Sequence, residues 1–177
     1  RKAGYHVVFT TSHQTYGEGK IQYWPWHDMN DAKWVQLIDR FSDMMYNIAR
    51  QWAGRDLVSA WQVWNEQDAP IGATSSVPML VHNYTRMFAR TYQAIRSADR
   101  DVLILTGGHT GGPGNGANYA RQLVAGLPSS AKPDGIAFHP YGRGVSDHPI
   151  YAVFGHIDDS IKAYSAVMPD KPLWITE

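Results

Sequence analysis

Apolar residues along the chain recur at helical spacing in several stretches. Between residues 31 and 52 they stand three or four positions apart, which is the pattern of an amphipathic helix with one buried face. Asn30 or Asp31 can cap the start of this helix, and Gly54 can end it. The same spacing predicts three further helices, one opened by Ser76 and Pro78, one at 119–127 and one at 154–168.

Short apolar runs between these helices predict five strands. Residues 57–65 (LVSAWQVWN) are apolar at both odd and even positions, as expected for a parallel strand that is buried on both faces. The other runs are at 5–10, 102–106, 135–139 and 172–176. Strict alternation of strands and helices implies a parallel sheet with right-handed crossovers. A doubly wound open sheet and a (β/α)₈ barrel both have this order.

A glycine-rich stretch at 107–116 (GGHTGGPGNG) bears on the choice between these folds. It lacks the G-x-G-x-x-G spacing of dinucleotide-binding sheets, and no lysine follows it as in a phosphate-binding loop. We therefore interpret it as a flexible loop. No low-complexity linker is present, so residues 1–177 are expected to form one domain. The chain begins at Arg1 and stops directly after an apolar run, and we expect it to be a segment of a longer protein.

Composition narrows the classes of partner. Sixteen basic residues balance 16 acidic ones without any block of like charges, which argues against a nucleic acid or an anionic membrane as the main partner. No apolar run approaches the roughly 20 residues that span a bilayer. The lack of cysteine removes disulfides, thiolate zinc sites and cysteine nucleophiles. Cellular location and oligomeric state stay open, with secretion favoured.

Polar residues of catalytic type follow the predicted strands. They are Asn65 and Glu66 after the second strand, His109 after the third, His139 and Tyr141 after the fourth, and Glu177 after the fifth. In a βα barrel the carboxyl ends of all strands meet at one rim, and catalytic residues collect there. Glu66 and Glu177 are three βα units apart, nearly across the mouth of an eight-stranded ring.

Three motifs resemble a known group of enzymes. WQVWNEQD at 61–68, FHPYG at 138–142 and KPLWITE at 171–177 resemble the fourth, sixth and seventh strands of clan A glycoside hydrolases, with families 5 and 39 the most similar in character. The resemblance implies a (β/α)₈ TIM barrel, present here as a partial barrel of about five βα units. On this view the chain holds strands three to seven, and the remainder of the barrel is absent from it.

The resemblance also implies an activity and a set of site residues. It implies hydrolysis of O-glycosidic bonds in a polysaccharide or oligosaccharide with retention of configuration, with Glu66 as acid/base and Glu177 as nucleophile. It implies no metal and no other cofactor. Asn65 resembles the residue that binds the sugar 2-hydroxyl, Tyr141 the residue that supports the nucleophile, and His139 a substrate contact.

Local geometry and nearby rings add three expectations. Because side chains alternate along a strand, Asn65 and Glu66 cannot both face the mouth of a regular strand, so we predict a bulge or a turn there. His109 is expected to line the cleft. Trp24 and Trp26 flank a rigid proline and form either a sugar-stacking platform or a cover over the edge of the barrel.

Other functions fit the pattern less well. A catalytically silent sugar-binding barrel keeps the cleft, but a pure binder has no reason to hold a pair of carboxylates. A Schiff-base aldolase needs a lysine at a strand end, whereas the lysines here fall in loops, in helices or before strands. Metal binding by His109, His139 and His148 lacks the spacing of known ligand sets.

Overall fold

Five short parallel strands form the sheet in this computed structural model, which describes residues 4–16, 29–70, 73, 76–140 and 157–177. The strands are β1 (Val7–Thr11), β2 (Val58–Val63), β3 (Leu103–Leu105), β4 (Ile136–Phe138) and β5 (Leu173–Ile175). β2 pairs with β1 on one side and β3 on the other, and β4 pairs with β5. Bridges from Leu105 to Gly135 and from His109 to Phe138 join β3 to β4.

The strands follow one another across the sheet in chain order. In a doubly wound sheet the order reverses at a switch point, where ligands bind. The five described strands show no such reversal. The open-sheet alternative is therefore excluded for this part of the chain, and the arrangement is that of consecutive strands of a barrel.

Helices precede and follow these strands as the apolar spacing predicts, apart from one additional short turn, α1. Their bounds are α1 (His13–Tyr16), α2 (Asp31–Trp52), α3 (Val81–Ala98), α4 (Ala117–Gly126) and α5 (Ile157–Ser165). Both predicted ends of α2 are confirmed, since the Asn30 side chain accepts the Lys33 amide at 3.0 Å and Gly54 follows the last turn with φ of +69°. None of the helices in the described ranges is long and apolar enough to cross a bilayer.

The predicted start of α3 is wrong. Ser76 and Pro78 do not open the helix, which begins at Val81. The Met79 amide donates to the Gln67 carbonyl oxygen at 2.9 Å, and this contact ties an extended segment to the loop that follows β2. A tertiary hydrogen bond thus overrides the local helix-start signal.

The main hydrophobic core lies between α2, α3 and the outer face of the sheet. Its fully buried members include Phe41, Met45, Trp61, Tyr84 and Phe88. Burial of each such side chain contributes about 1.5–3 kcal/mol. The inner face carries smaller groups, Ala60, Leu105 and Ala137, packed against Trp174. The strand ends that carry the polar residues are therefore held from both faces of the sheet.

The second half of the glycine-rich stretch is helical, so the prediction of a loop over all of 107–116 is wrong. Gly112–Gly116 forms one π-helical turn that leads directly into α4. A Cβ on Gly116 would lie 2.1 Å from the Tyr164 hydroxyl, so no other residue type fits at this turn. Gly116 thus allows close packing against α5.

An ion pair fixes the opposite end of the sheet, where β4 begins. Asp134 pairs with Arg96 of α3 and also accepts the Ile104 amide at 2.9 Å. Arg96 in turn donates to the Arg100 carbonyl oxygen at 3.0 Å. This cluster, Arg96 and Asp134, joins α3, β3 and the start of β4 at the barrel floor.

Candidate active site

The turn that carries Glu66 begins as soon as β2 ends. Trp64 has φ of 76° and Glu66 has φ of 51°, both in the left-handed region that L residues seldom adopt. Between them, Asn65 makes a single bridge to Gly108. The predicted irregularity is confirmed, and it allows neighbouring side chains to leave the strict alternation of a strand.

Surrounding contacts hold this strained turn in place. The Trp64 ring is fully buried, and its Nε1 donates to the Val77 carbonyl oxygen at 3.1 Å. The half-buried Asn65 accepts a hydrogen bond from Gln62 at 3.1 Å through its Oδ1. The Glu66 amide donates to the Gly108 carbonyl oxygen at 3.0 Å. Left-handed backbone at two non-glycine residues costs about 1–3 kcal/mol each and persists only where the surroundings fix it.

His139 lies between the two glutamates that the sequence singles out. Its Nδ1 is 3.3 Å from Glu66 Oε1, and its Nε2 is 3.8 Å from Glu177 Oε1. Nε2 is also 3.1 Å from Thr176 Oγ1. A carboxylate oxygen of Glu66, one of Glu177 and a ring nitrogen of His139 all lie within 4.8 Å of one another. The glutamates at the ends of β2 and β5 therefore share one site.

The two carboxylates differ in their access to solvent. The Glu66 side chain is 11% exposed and that of Glu177 is 41% exposed, whereas the His139 ring between them is fully buried. A buried ring that contacts both carboxylates has little surface left for a substrate. The ring contacts both carboxylates in this structure, and the expected substrate contact of His139 stays a prediction.

Gly108 is required by the position of the His139 ring, and sequence reasoning assigned it no role. A Cβ at Gly108 would lie 1.9 Å from His139 Nε2. The same residue supplies the carbonyl oxygen that accepts the Glu66 amide. The available signal was that Gly108 directly precedes His109 at the end of a strand. Nothing in the sequence showed that Gly108 lies against the ring of His139.

His109 does not line the cleft, so the expectation of a substrate contact is corrected. Its ring is fully buried, with centroids 5.8 Å from the Tyr119 ring and 5.7 Å from the Tyr164 ring of the helical layer. The ladder continues beyond β3 through the bridge from His109 to Phe138. Between the bridges Leu105–Gly135 and His109–Phe138 this strand advances four residues while its neighbour advances three. The extra residue breaks the alternation and places His109 on the face of Phe138, which packs against the helical layer.

Asp68 and Gln67 form a polar layer beneath the site with His109. Asp68 accepts the amides of Thr110 and Gly111, both at 2.9 Å, and its Oδ2 lies 3.5 Å from His109 Nδ1. Burial alone would raise the pKa of the Asp68 carboxyl, but the His109 charge and the two amides outweigh it and hold that pKa below its usual value. Asp68 is therefore ionised at neutral pH.

Three tyrosines pack around this layer and stay protonated. Burial raises the pKa of Tyr84, Tyr119 and Tyr164, and the Asp68 charge adds to the effect. Tyr84 donates to the Val63 carbonyl oxygen at 2.6 Å and accepts the Gly107 amide at 2.7 Å. The phenol thus pins the end of β2 to the end of β3.

The Glu66, His139 and Glu177 cluster has metal-ligand residue types, but its geometry suits hydrogen bonding better. The two ring nitrogens of His139 face different carboxylates. The expected substrate contacts Trp24, Trp26 and Tyr141, together with His148, lie outside the described residues and stay predictions.

Solved structures with similar folds are glycoside hydrolases. A psychrophilic glycoside hydrolase family 10 endo-β-1,4-xylanase is 20% identical with a TM-score of 0.57, over 79% of this chain and 44% of the xylanase. A monomeric β-xylosidase from Caulobacter crescentus is 19% identical with a TM-score of 0.58, over 78% and 30%. Endo-glycoceramidase II from Rhodococcus sp. is 20% identical with a TM-score of 0.52, over 79% and 33%.

This is a TIM-barrel fold. The chain spans less than half the length of these proteins, and the prediction of a partial (β/α)₈ barrel is confirmed. No protein family model and no curated protein sequence matches the chain. The assignment to family 5 or 39 stays a prediction, whereas the likeness to TIM-barrel glycoside hydrolases stands.

Proposed function

We propose that this chain carries the catalytic pair of a retaining glycoside hydrolase, with Glu66 as acid/base and Glu177 as nucleophile. The observation that carries the proposal is the spacing of the two carboxylates. One oxygen of Glu66 and one of Glu177 lie within 4.8 Å of each other, and both are as close to a ring nitrogen of His139. Carboxyl groups about 5–5.5 Å apart suit double displacement, whereas about 6.5–9.5 Å leaves room for the water of an inverting reaction.

In the first step the Glu177 carboxylate attacks the anomeric carbon and forms an ester bond. The bond from that carbon to the glycosidic oxygen breaks, and Glu66 gives its proton to the departing oxygen. Thr176 and His139 hold the region around the nucleophile, since His139 Nε2 lies 3.1 Å from the Thr176 hydroxyl.

In the second step Glu66, now ionised, takes a proton from water. The water oxygen attacks the anomeric carbon, and the ester bond to Glu177 breaks. Glu66 ends protonated and Glu177 ends as a free carboxylate, as before the first step. Net retention of configuration follows from two inversions. The contact between Glu66 and His139 at 3.3 Å keeps the acid/base close to its partner through both steps.

The substrate class is a polysaccharide or oligosaccharide, and Asn65 is the proposed partner of the sugar 2-hydroxyl. Asn65 is half-buried at the rim, next to Glu66. The names of the similar structures include a β-1,4-xylanase and a β-xylosidase, so aryl β-xylosides and xylan are the first probes. Residues 1–177 are proposed to be strands three to seven of the catalytic barrel.

Carboxylate-to-amide variants of the intact protein test the assignment. We expect Glu66→Gln and Glu177→Gln each to lower hydrolysis by about 10²–10⁴-fold, the range for loss of a positioned catalytic group. Asp101→Asn is the matched control, because Asp101 is exposed and precedes β3 at the far end of the sheet. Near-normal rates in either glutamate variant would remove that residue from its role. Oligosaccharide binding without turnover in the wild type would favour a silent sugar-binding barrel.

A further inference from the structure

We propose that Asp68 is a positioning residue that fixes Glu66 against His139 and Glu177 by clamping the segment 107–111 to the turn after β2. The inference rests on the proposed glycosidase function. It assigns to Asp68 no contact with substrate. The juxtaposition that carries it is a buried carboxylate that accepts two backbone amides of the segment whose Gly108 contacts Glu66 and the His139 ring.

Three consecutive residues of the turn bind the same segment. The Glu66 amide donates to the Gly108 carbonyl oxygen at 3.0 Å, and Gln67 Nε2 donates to the Gly107 carbonyl oxygen at 3.2 Å. Asp68 completes the series by accepting the Thr110 and Gly111 amides, one on each carboxylate oxygen. The segment 107–111 is therefore hydrogen-bonded to all three residues of the turn, and its position is coupled to theirs.

The same segment also positions His139. The His109 amide donates to the Ala137 carbonyl oxygen at 3.0 Å, and the His139 amide donates to the His109 carbonyl oxygen at 2.8 Å. Gly108 lies directly against the His139 ring, where a Cβ would come within 1.9 Å of Nε2. One short backbone segment thus contacts Glu66 on one side and His139 on the other.

A carboxylate is needed for this clamp because of where it lies. The Asp68 side chain is only 2% exposed. A Cβ on Gly111 or Gly116 would lie 3.0 Å or 2.9 Å from its Oδ2, so the pocket around it is tight. Two amides that point at two oxygens match an ionised carboxylate, whereas an asparagine would oppose an N–H₂ group to one of the amides.

Displacement of Glu66 should affect proton delivery before anything else. A misplacement of about 1 Å in a catalytic group costs roughly 10²-fold in rate. A glycoside with a poor leaving group needs the proton, whereas a dinitrophenyl glycoside leaves as a stable anion and needs it little. A shift of Glu66 therefore produces a rate loss that depends on the leaving group, and a general loss of folded protein does not.

The experiment compares Asp68→Asn with Asp134→Asn in the intact protein, with Glu66→Gln as the reference for loss of the acid. Asp134 is the matched control, because it also accepts a backbone amide but lies at the barrel floor. We expect Asp68→Asn to lower kcat/KM, which reports the steps up to ester formation, about tenfold or more for an alkyl glycoside and about threefold or less for the dinitrophenyl glycoside. Asp134→Asn should lower Tm and show no dependence on the leaving group.

The outcomes separate the two hypotheses. An equal loss of kcat/KM on both substrates, or no loss, in Asp68→Asn overturns the positioning role while the proposed function stands. A Glu66→Gln variant without any dependence on the leaving group, or a wild type that cleaves no glycoside, overturns the proposed function and this inference with it.

If Asp68→Asn does not fold, Asp68→Ser keeps one oxygen acceptor, and hydrogen exchange in the wild type must still show slow amides at Thr110 and Gly111. Fast exchange of both amides contradicts the clamp.

Discussion

Asp68 at the barrel rim and Asp134 at the barrel floor have similar tasks, but their surroundings differ. Asp134 meets the full charge of Arg96, and its side chain is 19% exposed. Asp68 is 2% exposed and meets two backbone amides and a histidine ring. The floor is stabilised by an ion pair between elements. The rim instead combines a buried carboxylate, close-packed glycines and two residues with left-handed backbone, and such strain is characteristic of functional sites.

The largest expected effect at the rim comes from Gly108→Ala. The added Cβ would lie 1.9 Å from His139 Nε2, so the ring that contacts both glutamates must move. We expect a loss of activity of about 10²-fold or more, with destabilisation of about 1–3 kcal/mol from overpacking. Kinetics and thermal unfolding measure the two effects.

Gly114→Ala is the matched control for this substitution. Gly114 lies in the π-helical turn, and a Cβ there meets nothing within 4 Å. It should leave activity and Tm close to those of the wild type. Comparable losses in both variants would mean that the glycine-rich stretch, rather than the His139 contact, sets the result.

Removal of the ion pair at the floor should affect stability alone. Arg96→Met leaves Asp134 with the Ile104 amide but without its cation. We expect a loss of about 1–3 kcal/mol in the free energy of unfolding, because both side chains are largely buried and Asp134 loses a charged hydrogen-bond partner. Urea unfolding measures the loss, and kcat of the folded fraction should stay unchanged. A selective fall in kcat would contradict the division between rim and floor.

The dependence of the unfolding free energy on pH in acid solution should show the contribution of Asp68. Its folded pKa lies below the unfolded value of about 4. Asp68 therefore stabilises the fold above about pH 4, and this contribution is lost as pH falls through the folded pKa. The difference in unfolding free energy between wild type and Asp68→Asn should narrow below about pH 4. A difference that stays constant down to pH 2 would show that the carboxylate is not specifically stabilised.

The last expected effect is confined to alkaline solution and comes from the buried tyrosines. The raised pKa of Tyr84, Tyr119 and Tyr164 means that the folded state keeps protons which the unfolded state releases. Stability is therefore full below about pH 10 and declines above it. Phenolate absorbance should rise only as the protein unfolds. Earlier titration of all tyrosines in a folded protein would contradict their burial.

The strand and helix order was predictable because each element has a local signal. The stripe of α2, the Asn30 cap and Gly54 all follow from neighbouring residues. The irregularity at Asn65 and Glu66 was predictable for a different reason, since two adjacent polar residues cannot share one face of a strand. The clustering of Glu66, His139 and Glu177 followed from the rule that parallel strands end at one rim.

Features that depend on distant contacts could not be predicted in this way. The start of α3 depends on the Gln67 carbonyl, and the π-helical turn depends on Asp68 and Tyr164. His109 turned outward because one extra residue enters the ladder between Leu105 and His109, which residue type does not reveal. Asp68 stands in the WNEQD motif, yet only its partners 42 and 43 positions away along the chain give it a role.

Labelling with a 2-deoxy-2-fluoro glycoside tests the carboxylate pair most directly. The fluorine slows both steps, and a good leaving group lets the first proceed, so a retaining enzyme accumulates its ester. We expect intact-mass and peptide analysis to find one added sugar on Glu177 in the wild type and none in Glu177→Gln. A label on another residue, or none on a wild type that hydrolyses glycosides, would contradict the assignment of Glu177 as nucleophile opposite Glu66.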